Sequence, residues 1–141
     1  MPLVRISVFN SMPEEKRGKL PQAVYDAMRE TISIPENDLF VVLTAHLKGE
    51  LVVSPDFMAM ERSGEFTLVH ITLRQGRSTE SKQALYRSIA KLVKERAGVE
   101  PDDVMVVLAE NDVADWSFGR GEAQYILNQP EDLRPPELPR D

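Results

Sequence analysis

A shift of 65 positions lays the first half of this chain on the second without a gap. Leu3, Val4 and Ile6 fall on Leu68, Val69 and Ile71, Leu20 on Leu85, Glu30 on Glu95, Asp38 on Asp103, and Val41-Val42-Leu43 on Val106-Val107-Leu108. Such a duplication constrains the fold more than any single motif, because two copies of one hydrophobic pattern must bury themselves together. Each copy reads β-α-β. In the first, Pro2-Leu3-Val4-Arg5-Ile6-Ser7-Val8 alternates and is rich in β-branched residues, the mark of a strand. Pro13-Glu14-Glu15 suits the first turn of a helix. Leu20, Val24, Ala27, Met28 and Ile32 then recur at helical spacing. Pro21 interrupts that pattern; inside a helix it removes a hydrogen bond and costs about 3 kcal/mol, so a kink or a later helix start is predicted. Ile34-Pro35-Glu36-Asn37 ends the helix, and residues 38–44 read as a buried strand.

In the second copy, residues 66–73 form a strand and Gln75-Gly76-Arg77-Ser78 a turn, with Ser78 as N-cap. Leu85, Ile89, Leu92, Val93 and Ala97 line the helix, Gly98 stands at its C-terminal cap, and residues 103–108 close the unit as a strand. The expected class is α+β: tandem β-α-β units, each with a right-handed crossover, forming a four-stranded sheet with two helices on one face. Repeat one covers about 2–46, a connector 47–65, repeat two about 66–111, and a closing motif 112–128. Together these make one domain, 1–128. The connector carries turn signals at Lys48-Gly49, Ser54-Pro55-Asp56 and Ser63-Gly64, with Leu51-Val52-Val53 as a possible short edge strand and Met58 and Met60 as packing residues. The other sheet face also reads as apolar, which predicts a homo-oligomer packed around a common axis. Residues 129–141 are proline-rich and charged and cannot build a core, so an extended or disordered tail is expected.

Composition narrows the function classes. The chain has 141 residues and 42% hydrophobic content, enough for one buried core. It shows no apolar run of membrane-spanning length and no signal-peptide pattern, so a soluble protein is expected. With no cysteine, disulfides, thiol catalysis and thiolate metal sites are excluded, which fits the cytoplasm. The only histidines, His46 and His70, make a histidine metal centre improbable and read as strand-end and strand-face residues without a catalytic part. A net charge of -6 argues against a general nucleic-acid binder, while leaving room for a few arginines gathered around a small anion.

The duplication also separates what each copy has alone. Pro2 falls on Thr67, so only the first copy can present a terminal secondary amine once Met1 is removed, a group able to act as base, acid or nucleophile. Otherwise Pro2 simply begins an edge strand. Phe9 and Met12 fall on Arg74 and Arg77, so only the second copy carries the arginine pair. Arg74 ends a strand and Arg77 precedes a helix N-terminus, so two guanidinium forks and free backbone N–H groups can converge on one anion; the alternative is a solvated basic turn. Asp38 matches Asp103, which suggests a turn or strand-entry role in both copies beside a chemical one. Trp116, Phe118 and Tyr125 read either as packing or as an apolar pocket wall, which would lower the amine's pKa from its reference of about 8.

The Pro2-initiated strand, the duplicated unit, Leu73-Arg74-Gln75-Gly76-Arg77-Ser78 and Asp115-Trp116-Ser117-Phe118-Gly119-Arg120-Gly121 together resemble the tautomerase superfamily. Within it, the long-chain branch containing malonate semialdehyde decarboxylase is the most similar, over residues 2 to about 128. The resemblance implies a catalytic N-terminal proline at Pro2, no metal or organic cofactor, and a homotrimer. It implies a water-activating role for Asp38, and for Arg74 and Arg77 a hold on the substrate carboxylate. In the decarboxylase pattern one residue separates the two arginines, whereas Gln75 and Gly76 intervene here, so the spacing points towards other branch members. The dehalogenases carry a histidine in the first helix where this chain has Arg29 or its neighbours, which ranks hydrolytic dehalogenation lower. The expected function is tautomerisation and/or decarboxylation of small oxo acids such as malonate semialdehyde or phenylpyruvate. The alternatives are a trimeric non-catalytic binding or scaffold protein, or a hydratase or dehalogenase of the same superfamily.

Overall fold

The computed structural model describes residues 2–128. The tail expected over 129–141 lies outside the described residues. Strands β1 (Leu3–Phe9), β2 (Val41–His46), β3 (Thr67–Arg74) and β4 (Val104–Asn111) form one sheet in the order β2-β1-β3-β4. Helices α1 (Glu14–Arg17) and α2 (Leu20–Ile32) join the first pair, α3 (Thr79–Ala97) joins the second, and α4 (Gln124–Leu127) follows the last strand. β1 and β2 are parallel, as are β3 and β4, and the central pair β1/β3 is antiparallel.

The strand registers carry the duplication into three dimensions. Val4 pairs with Val41 and Ile6 with Leu43, while their counterparts 65 positions on, Val69 and Ile71, pair with Val106 and Leu108. In the central antiparallel pair Arg5 faces His70, its own repeat counterpart. The pseudo-twofold relating the two halves therefore passes between Arg5 and His70.

One sheet face is the core. Val4, Ile6 and Val8 of β1 and Val69, Ile71 and Leu73 of β3 alternate inwards. They pack against Leu20, Ala23, Val24, Ala27 and Met28 of α2 and Leu85, Ile89, Val93 and Ala97 of α3. Ser88 Oγ of α3 donates to Glu30 Oε2 at 2.8 Å, and Arg96 pairs with Asp26 at 2.6 Å, so the two helices are also tied along their edges. The proline conflict is resolved by a break: α1 stops at Gly18, and α2 begins afresh at Leu20 with Pro21 in its first turn, where an N–H has no intrahelical partner to lose. Ser78 Oγ caps α3 by accepting from the Ser81 N–H at 3.1 Å, and Gly98 ends it at φ 65°.

Four local expectations are corrected. β2 begins at Val41 rather than at Asp38, because Asn37 is left-handed (φ 70°) and the Asp38 N–H turns back to the Pro35 carbonyl; the first ladder bond there runs from Val4 N to Phe40 O at 2.9 Å. Leu51-Val52-Val53 forms no strand, only an isolated bridge between Lys48 and Leu51. Met58 and Met60 are exposed within the chain rather than packed, and Met58 lies in a short 3-10 turn at φ 56°. The second sheet face is mixed rather than apolar: by strand alternation Val42, Leu68, Met105 and Val107 share it with Arg5, Ser7, Thr44, His70 and Thr72. Its apolar part forms, with the connector, a groove of about 400 Å3 lined by Val53, Phe57, Phe66, Leu68, Met105 and Val107 among others. Among the described residues, no helix is long and apolar enough to cross a membrane.

Candidate active site

The α2–β2 loop and the β3–α3 turn come together at one end of the sheet. Between them lies a cavity of about 200 Å3 lined by Ser33, Ile34, Pro35, Asp38, Arg74, Arg77 and Tyr125. Parallel pairing of β1 with β2 and antiparallel pairing with β3 make this meeting unavoidable. Val4 sits opposite Val41 and Leu3 opposite Thr72, so one step before β1 the chain runs between the ends leading to Asp38 and to Arg74. Pro2 occupies that step and is buried.

Asp38 is buried at 8% exposure. Burial pushes its carboxyl above the usual carboxylate range, opposed by the positive amino terminus and by the Arg77 guanidinium. Pro2, whose nitrogen would become the amino terminus only once Met1 is removed, is not itself among the cavity-lining residues.

The arginine turn is built by backbone geometry. Arg74 is the last residue of β3 and pairs with Asn111; Gln75 N continues the ladder to Asn111 O at 2.8 Å. Gly76 at φ 115° then reverses the chain in a conformation that side chains disfavour. Arg77 folds back so that its guanidinium donates to the Arg74 carbonyl at 2.8 Å. Burial depresses the Arg77 pKa and the neighbouring Arg74 charge adds to the effect, while Glu110, Tyr125 and Asp38 oppose it. Glu110 lies on the outer side of this turn, exposed and paired with Lys82.

Of the three aromatic residues, Tyr125 reaches the cavity, and burial, then the Asp38 charge, raises its phenol pKa. Phe118 meets Tyr125 edge-on at 5.0 Å, and Trp116 stacks on Phe118 at 5.6 Å. These two stand behind Tyr125 rather than lining the cavity. The stack is anchored by the Trp116 indole N–H, which donates to Asn111 Oδ1 at 2.9 Å. Asn111 therefore links the aromatic stack and the arginine turn, a role the sequence reading missed. Ile34 and Pro35, read from the sequence only as a helix end, form one wall together with Ser33, which that reading does not single out. Among the described residues, no three of His, Asp and Glu gather as a metal site requires.

A duplicated β-α-β sheet with a buried carboxylate and two arginines beside its first strand defines a class of small α+β proteins built around the head of that strand. The family model described as tautomerase enzyme matches residues 38–119, and the chain belongs to that family. It is similar to the probable tautomerase YusQ of Bacillus subtilis (strain 168), 41% identical over 89% of this chain and 99% of the relative. The probable tautomerase YrdN of the same organism is 28% identical over 92% and 99%. Among solved structures, FG41 malonate semialdehyde decarboxylase inhibited by 3-bromopropiolate superposes with a TM-score of 0.84 at 32% identity, covering 92% of this chain and 98% of that one. A malonate semialdehyde decarboxylase studied for its decarboxylase and hydratase activities gives 0.83 at 32%, covering 89% and 97%. Within the superfamily the chain falls with this decarboxylase-like branch.

Proposed function

We propose that this chain is a cofactor-independent enzyme that uses Pro2, exposed by removal of Met1, to tautomerise or decarboxylate small oxo acids. The observation that carries this reading is the convergence of Asp38, Arg74, Arg77 and Tyr125 on one cavity at the head of β1, where the buried Pro2 precedes the strand. In this reading Arg74 and Arg77 hold the substrate carboxylate, an anion that relieves their mutual repulsion. Tyr125, backed by Phe118 and Trp116, forms the apolar wall. Low dielectric and two nearby cations lower the Pro2 amine's pKa, which favours the free base near neutral pH.

For tautomerisation, the amine takes the enol hydroxyl proton, the carbonyl forms, and the former C=C pair takes up a proton at carbon. For decarboxylation, the bond to the departing carboxylate breaks and its electron pair passes to the carbonyl; carbon dioxide leaves, and the Pro2 ammonium returns a proton to carbon. Asp38, when ionised, keeps the proton on that ammonium and activates water. The presence of a buried carboxylate favours the decarboxylase branch, while the two-residue gap between the arginines favours a broader tautomerase. A homotrimer working in the cytoplasm completes this reading; the fused 4-OT symmetric trimer has the same fold.

The test is an ultraviolet screen of Met1-processed protein against phenylpyruvate, 2-hydroxymuconate and malonate semialdehyde, repeated after covalent blocking of the terminal amine. Turnover of at least one substrate, abolished by blocking, is expected. Turnover that survives blocking would remove Pro2 from the mechanism. A protein that turns over none of them and still oligomerises is the scaffold alternative.

A further inference from the structure

The loop carrying Asp38 is held at its midpoint by a side chain that does not line the cavity. Tyr25 of α2, 5% exposed, donates its hydroxyl to the Pro35 carbonyl oxygen at 3.0 Å. The Asp38 backbone N–H donates to the same oxygen at 3.3 Å. A single carbonyl thus connects the packed interior of α2 to Asp38. Ser33 and Asn37 both adopt left-handed conformations, at φ 54° and 70°, which residues bearing a Cβ disfavour. Ser33, Glu36 and Asn37 are exposed, so Ile34 is the loop's buried apolar anchor ahead of Asp38.

We infer that Tyr25 is a positioning residue for the reaction, holding the Pro35 carbonyl so that Asp38 keeps its place opposite Arg74 and Arg77. This rests on the reading of Asp38 given above. Tyr25 touches no substrate in this arrangement and acts through the loop. A small displacement of a catalytic group is enough to lower the rate severalfold or more. The Tyr25 ring packs in the core, with the Arg29 guanidinium 5.9 Å from its centroid on the outer side, so the hydroxyl is the part with a role at the loop.

The test uses Tyr25→Phe, which keeps the ring and removes only the hydroxyl, in the parent and in an Asp38→Asn background. In the parent, kcat should fall roughly fivefold to twentyfold with KM within about twofold, the pattern of a lost transition-state interaction. In the Asp38→Asn background the same change should leave kcat within about twofold, because residues acting through one group are not additive. Independently of activity, hydrogen exchange of the Asp38 amide should quicken in Tyr25→Phe while amides of β1 and β3 keep their protection. Equal losses in both backgrounds, or unchanged kcat together with unchanged Asp38 exchange, would overturn the inference while leaving the role of Asp38 standing. Full activity of Asp38→Asn itself would overturn both.

Discussion

Asp38 and Asp103 occupy the same position in the two halves of the duplication and do opposite things. Both oxygens of the Asp103 carboxylate are engaged: it accepts from the Ser63 N–H at 2.6 Å and from the Ser63 hydroxyl at 2.5 Å, fastening the connector to the second repeat. The Asp38 carboxylate instead faces a cavity with Arg74, Arg77 and Tyr125. One copy's aspartate became a clamp, and its counterpart lines the candidate active site.

This divergence predicts opposite stability effects. Asp103→Ala takes away the acceptor of both Ser63 bonds, and hydrogen bonds to charged groups contribute about 1.5 to 3 kcal/mol. A loss in that range, measured by urea unfolding, is expected. The exchange protection of the connector should fall with it.

Asp38→Asn should instead raise the urea midpoint at neutral pH. The folded pKa of Asp38 lies above its unfolded value, so its contribution to stability is fully present below the unfolded pKa. That contribution is lost as pH rises through the folded value. The stability gap between variant and parent should therefore shrink as pH falls towards the ordinary carboxylate range. Under the proposed mechanism the same variant should lose decarboxylation far more than tautomerisation. Equal losses of the two activities would mark Asp38 as structural, like its counterpart.

Arg77→Ala removes one fork of the proposed carboxylate clamp. A charge-assisted pair of about 1.5 to 3 kcal/mol corresponds to a roughly tenfold to hundredfold fall in kcat/KM on an anionic substrate. Unchanged efficiency would take Arg77 out of the site.

Processing is checked by mass. Active protein should lack one methionine, and full activity with Met1 retained would be incompatible with a Pro2 amine.

Assembly is checked by sedimentation, which should give a trimer. Replacing Met105 or Val107 with Glu on the outer sheet face should shift the protein towards monomer. A monomer at all concentrations in the parent would refute the trimer.

The sequence by itself determined the fold class. Alternation and helical spacing repeat at a fixed interval, and the register pairs Val4 with Val41 and Val69 with Val106 as that interval requires. The break before Pro21, the Ser78 cap and the Gly98 terminus were legible for the same reason: each is a local backbone requirement met by a local residue type. Tertiary structure decided which residues meet. Asp38, in the loop leading into β2, and Arg74, at the end of β3, approach because β1 runs between those strands, parallel to one and antiparallel to the other. No spacing within the chain encodes that approach. The same holds for Asn111, whose side chain holds Trp116 and whose carbonyl holds Gln75, and for Tyr25, whose hydroxyl reaches Pro35. Those contacts depend on distances that only the packed sheet and helices set. The divergence of Asp38 from Asp103 is the clearest case, since identical residues in one repeat pattern take their roles entirely from the neighbours that the fold brings to them.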